Sequence, residues 1–76
     1  MAILQVRFKR NTALSEIQRR MCALGLLLGS QLKFSTLYNG RVAESAWVNV
    51  PEEQELNYLR QIKLLSRVES VVPVIG

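Results

Sequence analysis

Val48-Asn49-Val50-Pro51-Glu52-Glu53, then Leu56 to Leu65, then Val68-Glu69-Ser70-Val71-Val72-Pro73 is the stretch whose reading decides the fold. It reads as strand, turn, helix, strand. Pro51 suits the first turn of a helix, where a missing N–H forfeits no intrahelical bond. Glu52, Glu53 and Glu55 face the positive end of the helix dipole, and Arg60, Lys63 and Arg67 gather at its negative end. Between them Tyr58, Leu59, Ile62 and Leu65 form one apolar side, with Leu56 at its edge. Pro73 has no N–H to give a ladder, so the last strand is expected on a sheet edge or to end there.

Working outward, Leu4, Val6 and Phe8 alternate with Gln5, Arg7 and Lys9. A period of two means a strand with one buried face. Thr12 offers a helix N-cap, and Leu14, Ile17, Met21 and Leu24 then make a stripe at intervals of three and four. Gly25 supplies the left-handed position that closes this helix. Glu16 and Arg20 stand one turn apart and can pair.

Asn39-Gly40 is a hairpin signal, because a type I′ turn needs positive φ at both central residues. With a two-residue loop, Thr36 faces Ala43, Phe34 faces Ser45 and Leu32 faces Trp47. One face then carries Leu32, Phe34, Tyr38 and Trp47, and the other carries Leu37, Val42, Ala46, Val48 and Val50 beside Gln31, Lys33 and Glu44. Both faces are partly apolar. Helices are expected on the valine face, which leaves Leu32, Phe34 and Trp47 as a candidate binding surface; a bulge that turns Phe34 and Trp47 into the core is the alternative.

The order strand, helix, strand, strand, helix, strand predicts an α+β, ferredoxin-like βαββαβ domain over residues 1–76, a four-stranded antiparallel sheet with two helices on one face. The first and third strands are then central. Seventy-six residues make one domain with a small core, and no staple supports it. Cys22 is the only cysteine and there is no histidine, so an intrachain disulfide and the common zinc constellations are excluded. Ala23 to Leu28 is the longest apolar run and is too short to span a bilayer. No basic segment precedes an apolar core at Met1-Ala2-Ile3, so no secretory signal is read there.

The chemistry of several functions is missing. The loop Lys9-Arg10-Asn11-Thr12 lacks the Cys-x-x-Cys pair of a metal carrier. RNA recognition by such a sheet uses aromatics on the central strands, and the first strand offers only Phe8, on its apolar face. The formal charge of +4 is spread over residues that form no single run, so a nucleic-acid partner is not expected. Without histidine, aspartate or an activated thiol, catalysis is not expected, nor is a cofactor.

Val6-Arg7-Phe8-Lys9, Glu16-Ile17 in a helix closed by Ala23-Leu24-Gly25-Leu26, Trp47-Val48-Asn49-Val50-Pro51-Glu52 and Val68-Glu69-Ser70-Val71-Val72-Pro73 resemble the propeptide-type inhibitor domains of subtilisin-like serine proteases, the fervidolysin-type prodomain in particular. The resemblance covers nearly the whole chain through short, apolar motifs. Ser70-Val71-Val72-Pro73 is more apolar than the family pattern, which has a further acidic or polar position before the junction. The resemblance implies that the open sheet face packs on two surface helices of a protease, through a patch around Leu32, Phe34 and Trp47. It implies that Glu69 caps those helices, since a carboxylate accepts the free N–H groups of a helix N-terminus. Val74, Ile75 and Gly76 then lie along the substrate cleft, pairing by backbone hydrogen bonds. The contrasting expectation is an interaction or regulatory module unrelated to proteases, binding another protein or itself through edge strands.

Overall fold

The computed structural model describes residues 1–74. Strand β1 (Ala2–Phe8) leads to helix α1 (Leu14–Ala23), then β2 (Leu32–Leu37), β3 (Val42–Val50), a single 3-10 turn over Glu52–Gln54, helix α2 (Glu55–Lys63) and β4 (Val68–Pro73). The strands form one antiparallel sheet in the order β2-β3-β1-β4. This is the βαββαβ ferredoxin-like arrangement, with β1 and β3 central and β4, which ends at Pro73, on an edge.

The core lies between the sheet and the helices. Leu4, Val6 and Phe8 of β1 and Ala46, Val48 and Val50 of β3 meet Ile17 and Met21 of α1 and Ile62 of α2, all buried in one cluster. The apolar stripes of both helices follow the sequence pattern, with Leu14, Leu24, Tyr58, Leu59 and Leu65 partly buried around it. Leu56 faces out and is exposed.

Helix ends depart from expectation in two places. Pro51 sits ahead of the 3-10 turn and the glutamates Glu52 and Glu53 fall within it, so α2 proper begins only at Glu55. Thr12 does not cap α1, whose N-cap is Ala13 with no side-chain bond. The Thr12 hydroxyl instead donates to the Lys9 carbonyl at 2.7 Å and is fully buried, tightening the β1–α1 loop. Replacing Thr12 with valine is therefore expected to cost about 1–2 kcal/mol of unfolding free energy, read from urea melts, because the Lys9 carbonyl loses a donor. Gly25 ends α1 at φ +90, as its position requires. Glu16 and Arg20 pair at 3.0 Å. Arg67, expected to complement the α2 dipole, also donates from its guanidinium to the Arg10 and Asn11 carbonyls, tying the two crossover loops together.

The hairpin turns at Asn39 (φ 56) and Gly40 (φ 79), with Tyr38 left-handed as well (φ 53). Thr36 faces Ala43 as predicted, but the next pair is Ser35 with Ser45, so Glu44 is an extra residue on β3. Beyond this bulge Phe34 faces Ala46, Lys33 faces Trp47 and Leu32 faces Val48. A shift of one residue exchanges the faces of a strand. A second bulge occurs between Arg7 and Phe8, where Glu69 is the extra residue on β4.

Candidate binding face of the sheet

The bulge at Glu44 corrects two of the expected surface residues. Leu32 is completely buried in the core and Phe34 is half-buried beside it, its ring 6.0 Å from that of Phe8. Both lie on the helix side, opposite Val48 and Ala46. Trp47 remains on the face that no helix covers, so the bulge separates it from the other two. Neither expected arrangement of these three residues occurs whole.

The open face is built in rows, because residues paired across antiparallel strands point the same way. Lys33, Trp47, Gln5 and Val72 stand directly opposite one another across all four strands. Ser35, Ser45, Arg7 and Ser70 form the neighbouring row. On the other side Ile3 faces Asn49, and the Ile3 carbonyl accepts from the Val74 N–H at 2.8 Å. The apolar members are substantially exposed, Trp47 at 43%, Val72 at 48% and Ile3 at 38%. Around them are two cations, three hydroxyls and two amides, with no carboxylate in the rows.

Carboxylates enter only at the bulges. Glu44 and Glu69 are the extra residues on the two strands flanking β1, just past the Arg7 row. They line an open concavity of about 490 Å³ with Arg7, Lys9, Arg10 and Tyr38. Among the described residues none of these charged groups forms an ion pair within the chain. Glu69 is exposed at the sheet edge. Its carboxylate is free to accept from a partner.

Val74 is half-buried and continues β4 along β1 through its bond to Ile3. Ile75 and Gly76, the rest of the expected tail, lie outside the described residues. Sequence reasoning missed Ile3, Gln5, Arg7, Lys33 and Val72 as companions of Trp47. The period-two pattern of β1 did mark Gln5 and Arg7 as facing away from the core. What it could not supply was the register that sets Trp47 beside them.

Cys22 is exposed on α1. No group of three or more histidine, cysteine, aspartate or glutamate side chains converges to hold a metal ion among the described residues. No family model, no curated protein and no solved structure matches the chain.

Proposed function

We propose that the chain is a non-catalytic binding domain of the subtilase-prodomain kind, inhibiting a subtilisin-like serine protease or assisting its folding through the open sheet face and the C-terminal tail. One observation carries the reading. The exposed row of Trp47 and Val72 adjoins the last strand, and Val74 is still extended along β1 where that strand ends. A surface docked on the face is thus contiguous with a cleft that receives the tail. The exposed Glu69 stands beside the same face and suits a helix N-terminus on the partner.

The energetics support such a role. The core is small, and a partner that covers the face adds burial the domain lacks by itself, so binding also stabilises the fold by mass action. Binding alone, as a product-like ligand or as a template, needs no reactive side chain.

The test is inhibition of a broad-specificity subtilisin by the whole chain and by a chain lacking residues 74–76, with thermal unfolding as the check that the shortened domain still folds. Tight inhibition by the whole chain is expected, weakened roughly tenfold or more by the truncation, which corresponds to about 1.4 kcal/mol. Digestion of both chains without inhibition overturns the protease reading. A module that binds a different protein or itself is then the second reading, favoured by the position of β2 at the edge of the sheet.

A further inference from the structure

The two edges of the sheet are not equally protected. On β4 the edge is interrupted by the Glu69 bulge and closed by Pro73, which has no N–H. Such devices discourage a further strand from adding. β2, over Leu32–Leu37, contains neither proline nor glycine and no acidic residue, and the bulge beside it belongs to β3. Its only charge is Lys33.

Which main-chain groups of β2 point outward follows from the bonds at its ends. The Gln31 carbonyl accepts from Asn49, toward β3. Leu32 points the other way, its N–H donating to the Leu27 carbonyl and its carbonyl accepting from the Gly29 N–H, so residues 27–29 cover that end of the edge. At the far end the Arg41 carbonyl and the Ala43 N–H bond to Leu14 and Thr12, away from β2, which directs Val42 toward its partner Leu37. Direction alternates along a strand. Lys33, Ser35 and Leu37 therefore bond inward to β3, and Phe34 and Thr36 present two N–H and two C=O groups outward with no strand beside them among the described residues.

We infer that β2 pairs with β2 of a second copy of this chain, antiparallel, about a two-fold axis at Ser35. In this register Phe34 of each copy exchanges both main-chain bonds with Thr36 of the other, giving four bonds. Every free group on the edge finds a partner. Shifting by one pair in either direction sets Phe34 against itself or Thr36 against itself, and the remaining member of the edge then meets Leu32, already bonded to residues 27–29, or Tyr38, whose carbonyl already accepts from Arg41.

Side chains agree with the same register. Lys33 lies opposite Leu37 of the second copy, so like charges are not apposed. Tyr38 comes against the segment bearing Leu27 and Leu28 of the second copy, and all three are exposed in the single chain. An axis perpendicular to the sheet leaves the helices of both copies on one side and both Trp47 faces on the other. The dimer is an eight-stranded sheet with a doubled open face. The strip is short, so the association is weak by the standard of permanent dimers.

Sedimentation equilibrium on the whole chain from about 10 µM to about 1 mM, a range that brackets weak association, tests this beside Ser35→Arg and Ser35→Glu. Ser35 is exposed, and both variants are expected to keep the circular dichroism melt of the original. At the axis the two copies of residue 35 stand close enough for like charges to repel. The original chain is expected to dimerise across the range, each variant alone to dissociate roughly tenfold or more readily, and an equimolar mixture of the two to recover the dimer. A single-chain mass at every concentration overturns the inference. So does a dimer that both variants leave unchanged, or a mixture that stays monomeric.

Discussion

Replacing Leu32 with alanine is expected to lower the free energy of unfolding by about 3 kcal/mol. Leu32 is fully buried, and the sheet register places it opposite Val48, which in turn stands opposite Leu4. These three side chains form one row of the core, with Leu26 of the α1–β2 connection in the same cluster. Removing three carbons there forfeits both transfer free energy and the contacts around the cavity. Domains of this size hold on the order of 5–10 kcal/mol, so the loss is a large part of the whole. Urea unfolding followed by circular dichroism measures it. A change below about 1 kcal/mol would place Leu32 at the surface after all, where such substitutions are nearly neutral.

Trp47→Ala is expected to do the opposite, leaving unfolding within about 1 kcal/mol of the original while weakening binding to the proposed subtilisin-like partner by roughly thirtyfold, about 2 kcal/mol. Trp47 lies at the centre of the open face with Lys33 on one side and Gln5 on the other. Trp47 points away from the helices and is 43% exposed, so it adds little to the core between sheet and helices and leaves apolar area for a partner to bury. Titration of the subtilisin used for inhibition, monitored by tryptophan fluorescence and by residual activity, gives the binding side of the comparison. Undiminished inhibition by the alanine variant would remove the open face from the binding mechanism. The contrast between Leu32 and Trp47 separates burial from recognition on adjacent positions of one hairpin.

Most of the fold is legible in the sequence because it rests on periodicity. The alternation in β1, the stripes of α1 and α2, the Asn39-Gly40 turn and the edge position of Pro73 are local patterns with local causes, and each is found where it is expected. The candidate binding face is less legible for one reason. It depends on a hairpin register, and a single bulged residue resets that register. Glu44 carries no mark of this. It is neither glycine nor proline, and it is followed by Ser45 and Ala46, which are small enough to lie on either face. Leu32 and Phe34 consequently read as companions of Trp47 when they belong to the core. Thr12 illustrates the same limit at a smaller scale. Its hydroxyl had two nearby uses, a helix cap or a loop carbonyl, and the Lys9 carbonyl took it.

The central position of β1 has a bearing on how the chain is made. β1 is synthesised first, yet its neighbours in the sheet are β3 and β4, the latter ending at Pro73. At 5–20 residues per second, roughly 3–13 s pass between translation of Phe8 and of Pro73. During that interval Leu4, Val6 and Phe8 lack at least one of their two flanking strands, and α1 has no complete sheet to rest on. Pairings between distant parts of the chain also form slowly once available. A nascent domain of this topology is therefore exposed to chaperones, and to other nascent copies of itself, until β4 is made. The closing step belongs to β4, the last of the four strands to be translated.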